Sequence, residues 1–354
     1  MKEKTKMITF LIIAYGITYV MGIFMWYGNR KGYDLSVFPS AQMLYPAAGV
    51  ALGVLLTNKG EKKIPKGFFI TLLVTTLILI LLSLASVAAP MENLVVQGTS
   101  VSVYNLVSQY VLIIGSIVFW IFLIAAGKEK RKEAGLFWKN GKASAVVVIL
   151  FVFLYFLRTL FSGLLSGLLS GTGVQYVTEW LQIFNEPILW ISVVVLPINF
   201  FFVVIAFFGE EYGWRYYLQP LLQKKFGLRW GVIILGVVWG LWHVPIDLFY
   251  YTQTSGIQMI FAQQITCITL GIFFAYAYMK TENIWVPVCL HYLNNNLIPI
   301  FTATFSGDVL ENQVVSWGDL PLSLLINGIC FGFFLLSDVF KRRVAVLTGK
   351  NNSH

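Results

Sequence analysis

Apolar residues run in long unbroken stretches along this 354-residue chain, with short polar connections between them. Ten stretches are long enough to cross a bilayer, which takes about 20 apolar residues each. They fall near 7–27, 41–58, 68–89, 106–127, 144–169, 187–208, 230–251, 258–279, 284–301 and 320–340. None alternates between apolar and polar positions, so they predict helices and not the roughly ten-residue strands of a membrane barrel. The expected fold class is an all-α polytopic membrane protein of about ten transmembrane helices. The first stretch follows Met-Lys-Glu-Lys. It is longer than a signal-peptide core and has no small-x-small cleavage site after it, which predicts a retained signal-anchor helix.

The connections alternate in charge. Lysines and arginines crowd the N-terminus (Lys2, Lys4, Lys6), the second connection (Lys59, Lys62, Lys63, Lys66) and the fourth (Lys128, Lys130, Arg131, Lys132, Lys139, Lys142). They recur in the sixth (Arg215, Lys224, Lys225, Arg229), at Lys280 in the eighth, and in the tail (Lys341, Arg342, Arg343, Lys350). The odd-numbered connections hold only Arg30 and Lys31. By the positive-inside rule both termini are cytoplasmic. The alternation also supports a count of ten, because one missed span would reverse the pattern after it.

Composition agrees: 58% of residues are apolar and 12% charged, against about a quarter charged in a soluble domain. Mean hydropathy is +0.76. The net charge of +9 lies in the short basic clusters, so it reads as a topology signal and not a nucleic-acid surface. Cys267, Cys289 and Cys330 all lie inside apolar stretches without CxxC spacing, and read as small buried hydrophobes.

The basic connection 128–142 is the best internal boundary. It separates a four-helix accessory region, 1–142, from a six-helix core, 143–340, which holds nearly all the buried polar groups; a basic tail, 341–354, follows. In the core, Gly163, Gly167 and Gly171 stand four apart. Such a stripe allows close helix contact, within the chain or at a dimer face. Val174, Val177, Trp180, Leu181 and Phe184 fall near one helical face, which predicts an interfacial helix or an ordered loop.

Candidate chemistry sits where apolar stretches carry ionisable groups, which are costly at membrane depth. Only three histidines occur, and two of them, His243 and His291, lie deep in apolar runs. A third run leads into Glu210, Glu211 and Arg215. On a helix Glu211 and Arg215 face each other across one turn. Glu210 is turned about 100° away, so the adjacent carboxylates have different surroundings. Asp247, one turn beyond His243, is placed to orient its ring, although Pro245 between them disturbs the helix. His291 and Asn295 are four apart and lean to one face, a donor pair able to hold a developing oxyanion.

Three motifs result, in order on successive helices: Glu210-Glu211-Tyr-Gly-Trp-Arg215, Trp239-Gly-Leu-Trp-His243 and His291-Tyr-Leu-Asn-Asn295. Together they resemble the CAAX protease and bacteriocin-processing family, which includes type II CAAX prenyl endopeptidases and bacterial Abi-domain proteins. The resemblance covers roughly 190–300 by motif. It departs from the family at Trp239, where phenylalanine is usual. It implies an intramembrane endopeptidase of the bacterial cytoplasmic membrane with a cavity open to the cytoplasm. Glu210 is then the general base, His243 assists, His291 and Asn295 form the oxyanion hole, and Glu211 and Arg215 brace the site. No HExxH is present, and the His-Asn spacing suits an oxyanion hole better than a metal. A metal-free glutamate mechanism is therefore favoured over zinc held by Glu210, His243 and His291. Expected partners are membrane lipid and a membrane-associated peptide or protein substrate. The alternative is a scaffold or bacteriocin-immunity protein that binds a partner through the same fold.

Overall fold

The computed structural model describes residues 2–58, 60–96, 99–302 and 311–341. Within them the helices are α1 (Lys2–Lys31), α2 (Val37–Thr57), α3 (Lys66–Ala88), α4 (Val103–Ala125), α5 (Gly127–Glu133) and α6 (Gly141–Ser170). There follow α7 (Gly173–Gln182), α8 (Pro187–Phe226), α9 (Leu228–Phe249), α10 (Gly256–Thr281), α11 (Trp285–Thr302) and α12 (Asp319–Cys330). The described residues are all-α except for a short ribbon that the apolar pattern did not reveal. There β1 (Leu94–Val96) pairs antiparallel with β2 (Thr99–Val101).

Among the described residues, eight helices are long and apolar enough to cross a membrane: α1 to α4, α6, α8, α9 and α10. They match the first eight apolar stretches. Their outer faces carry large exposed apolar side chains such as Ile124, Ile149, Leu169 and Val194. So much apolar surface suits lipid and not water, and the chain is an integral membrane protein. The ninth stretch folds as the 18-residue α11, and the tenth as the 12-residue α12 followed by short turns at Gly332–Leu336 and Asp338–Phe340.

Polar contacts show which connections share an end of the bundle. Lys2 pairs with Glu61 and Lys62 with Glu133. Lys63 Nζ lies 3.3 Å from Glu129 Oε2, and Lys139 Nζ 3.1 Å from Glu282 Oε2. These join the N-terminus to the second, fourth and eighth connections. At the other end Ser102 donates to Asp34, Asn29 Nδ2 donates to Phe249 O at 3.0 Å, and Val315 N donates to Ser255 Oγ at 3.0 Å. Exposed pairs of this kind add little stability. Their information is topological: these even connections lie together, apart from the odd ones. Lys59, Arg342, Arg343 and Lys350 lie outside the described residues.

The glycine stripe is used inside the chain. Gly163 and Gly167 are buried, and α6 packs on α7, α11 and α12. The predicted amphipathic segment is the helix α7. Its Trp180 is buried between Phe156 and Phe184 and donates its Nε1 proton to Phe301 O at 2.9 Å. Leu181, expected on the same face, is exposed. The side chain of Val174 lies outside the described residues.

Candidate active site

The acidic motif sits where α8 packs closely against α2. A Cβ on Gly209 would lie 2.4 Å from the Met43 carbonyl oxygen, and one on Gly213 2.3 Å from Pro46 Cβ. Only glycine permits that approach, which clamps the Glu210–Glu211 turn against α2. Directly after Glu211 the helix widens into a π turn, Tyr212–Leu218, a feature often found at functional sites. Glu210 and Glu211 are both buried.

Arg215 Nε lies 3.0 Å from Glu211 Oε2, and both side chains are fully buried. The contact is close, but its angles fall outside hydrogen-bond geometry, so Coulomb attraction carries it. The guanidinium also stacks over the Trp239 ring, 4.6 Å from its centre, and near Phe274 at 5.5 Å. Such cation–π contacts strengthen when water is excluded. Glu211 has a second partner that spacing alone did not reveal, His291 Nδ1, 2.9 Å from its Oε1. Arg215, Glu211 and His291 thus form one chain from α8 to α11. A nitrogen facing a carboxylate acts as donor, so Nδ1 carries the proton and the neutral ring has its lone pair at Nε2. That Nε2 lies 3.9 Å from Glu210 Oε1, beyond hydrogen-bond range.

Glu210 is held from α9. Its Oε2 accepts a 2.8 Å hydrogen bond from Trp239 Nε1. This is the position where the family usually has phenylalanine, which has no such donor. His243 Nδ1 lies 2.9 Å from the Trp239 carbonyl oxygen. It must donate there, which leaves the lone pair on Nε2. The expected partner Asp247 does not orient this ring. The ring folds back toward the helix N-terminus, as helical side chains do, and finds the carbonyl one turn earlier. Asp247 is fully buried, with neither carboxylate oxygen hydrogen-bonded among the described residues.

Pro245 lacks an amide proton and so leaves the Leu241 carbonyl without its usual donor. The Tyr19 hydroxyl of α1 donates there at 2.8 Å, while Gln42 Nε2 of α2 donates to Trp242 O at 2.9 Å. The first two helices therefore brace the histidine-bearing helix directly.

Glu210, His243, His291 and Asn295 all line one cavity of about 250 Å³. Asn295 Oδ1 accepts from Asn294 Nδ2 at 3.0 Å, so the Asn295 NH₂ group is the donor left for a ligand. Gln42, Arg158 and Gln263 also line the cavity, and their spacing along the chain did not single them out. Arg158 was detectable as a lone charge inside the fifth apolar run. The half-exposed wall residues Pro39, Tyr251 and Gln313 stand at the end shared by the odd-numbered connections. As a metal site the donors do not fit: among the described residues no three His, Cys, Asp or Glu side chains group closely enough to hold an ion.

Residues 188–297, which contain all three motifs, match the family model described as type II CAAX prenyl endopeptidase Rce1-like. Over this segment the chain is similar to the CAAX prenyl endopeptidase family. It is 27% identical over 129 residues to CAAX prenyl protease 2 of Methanococcus maripaludis. That alignment covers 34% of this chain and 46% of the relative, so the two share less than half of either length. No solved structure matches the chain.

Proposed function

We propose that this protein is an intramembrane endopeptidase that cleaves a peptide bond of a membrane-associated peptide or protein, with Glu210 as general base. The observation that carries this reading is the cavity that gathers Glu210, His243, His291 and Asn295 from three helices. In the proposed reaction a water molecule lies between the free Glu210 oxygen and His243 Nε2. Glu210 takes its proton as the water oxygen attacks the peptide carbonyl carbon. The Asn295 amide donates to the oxyanion, a type of interaction typically worth about 3 kcal/mol of the barrier. His291 joins it only as an imidazolium, since its Nδ1 proton is committed to Glu211. The proton on Glu210 then passes to the leaving amine as the C–N bond breaks. Trp239 fixes the Glu210 carboxylate, and the Arg215–Glu211 pair fixes the His291 ring.

The finer architecture belongs to the same proposal. We read α11 and the segment 319–340 as the ninth and tenth crossings, with both termini cytoplasmic in a bacterial membrane. The contacts of Lys139 with Glu282 and of Val315 with Ser255, at opposite ends of α11, support the ninth. Phe340 packing with Val232 and Ile272 supports the tenth. The division at 142/143 is kept as one of sequence, with α2 forming part of the site's wall and α1 bracing α9.

The test is cleavage of internally quenched peptides by the purified protein in lipid vesicles, beside Glu210→Gln. Cleavage by the native chain and loss of 10² to 10⁴ in rate in the variant support the reading. A native protein that cleaves nothing, with cellular function intact in Glu210→Gln, favours the scaffold role.

A further inference from the structure

One charged side chain on the cavity wall has no part in the reaction just described. Arg158 lies well inside α6, seventeen residues past its first residue Gly141, in the run Phe-Leu-Tyr-Phe-Leu-Arg-Thr-Leu-Phe. At 1.5 Å per residue that is about 26 Å along the axis, far from the basic connection that precedes the helix. A cation there is costly unless it has a partner or meets water and ligand. Its guanidinium stacks over the Tyr155 ring, 4.8 Å from the centre, and among the described residues no carboxylate pairs with it. It contrasts with Arg215, which is fully buried and paired with Glu211. Arg158 is half-buried and lines the same cavity as Glu210, Asn294 and Asn295. It also lines an adjoining hollow with Thr159, Ser162 and Ser166 on its own helix and Ile298 and Phe301 on α11.

A guanidinium offers five donors in a planar fork that matches a carboxylate in two parallel hydrogen bonds. The Tyr155 ring covers one face of the plane, which restricts its rotation and leaves the edge donors for a ligand. We propose that Arg158 is a specificity residue that binds a carboxylate of the substrate while the scissile bond lies at Glu210. This rests on the protease reading above. The carboxylate is either the free C-terminus of the peptide, so that cleavage occurs near the chain end, or an acidic side chain beside the scissile bond.

Three pools of fluorescent apolar hexapeptides separate the sources. One ends in a free carboxylate, one in a carboxamide, and one in a carboxamide with a single internal glutamate. Binding to the full-length protein in vesicles is read by anisotropy, which needs no cleavage and so stands apart from the protease reading. We expect the free-acid pool to bind the native protein at least tenfold more tightly than the plain carboxamide pool. Equal binding by the glutamate pool would identify any carboxylate, and weak binding would identify the terminus. Arg158→Gln should lower this preference to about onefold, and Arg158→Lys should keep part of it. If cleavage is measured, the loss should fall in KM and leave kcat nearly unchanged. Equal binding of all three pools by the native protein, no binding of any, or a preference that survives in Arg158→Gln overturns the proposal.

Discussion

The two neighbouring carboxylates of the acidic motif have different partners. Glu211 is pinned on both oxygens, by Arg215 and by His291, while Glu210 is held on one oxygen by Trp239. That asymmetry favours Glu210 as the group that moves a proton. Arg215→Ala leaves Glu211 buried with its main countercharge gone. Removing one partner of a buried pair costs about 3 to 5 kcal/mol, so folded yield and thermal stability should drop along with activity. An inactive but fully stable Arg215→Ala protein would instead place Arg215 against the substrate. Trp239→Phe tests the departure from the family pattern. It removes one hydrogen bond to a charged group, worth about 1.5 to 3 kcal/mol, and keeps an aromatic ring beneath Arg215. Turnover should fall by roughly ten- to a hundredfold in a protein that still folds. Unchanged turnover would mean that the indole bond is incidental.

Among the elements, the pair α8 and α2 and the pair α9 and α1 decide the site. The Gly209-Glu-Glu-Tyr-Gly213 stretch brings the turn that carries the proposed base against another helix with no room for a side chain. Gly213→Leu places a side chain where Pro46 stands, so α2 must move or the helices separate. Overpacking commonly costs about 1 to 3 kcal/mol. A measurable fall in melting temperature is expected, with activity lost before the fold. A variant as stable and active as the native chain would show that this contact does not set the site. On α9, Tyr19→Phe removes the donor that replaces the amide missing at Pro245. The loss should be near 1 kcal/mol, read as a small shift in melting temperature.

For the whole molecule, the testable issue is which end faces the cytoplasm. The ion pairs and polar contacts sort the connections into two ends, and the charge rule then assigns the lysine-rich end to the cytoplasm. A single cysteine at Gln313, in a chain whose three native cysteines are replaced, should react with a membrane-impermeant thiol reagent added outside intact cells. A cysteine at Lys63 should not. The reverse pattern would turn the protein over in the membrane.

Much of this protein follows from local order along the chain. Eight membrane helices among the described residues, and the grouping of their connections, are written in unbroken apolar runs and lysine clusters, because transfer to lipid depends on each segment's own composition. Their ends fall within about five residues of the runs except in α8, which continues past 208 to Phe226. The Glu211–Arg215 contact is equally local, since four residues on a helix always return to one face. Partners from other helices are not local, and only the packed structure decided them. Spacing could not show that Glu211 also holds His291, that Trp239 would donate to Glu210, or that His243 would choose a carbonyl over Asp247. Nor could it show that α1 and α2, apparently accessory, would supply donors and a wall to the site. Those contacts depend on how closely helices approach, which is set at Gly209 and Gly213 by the absence of a side chain. Arg158 lay between the two cases: its charge was plain in the apolar run, but its place on the cavity wall came only from the packing of α6 against α11.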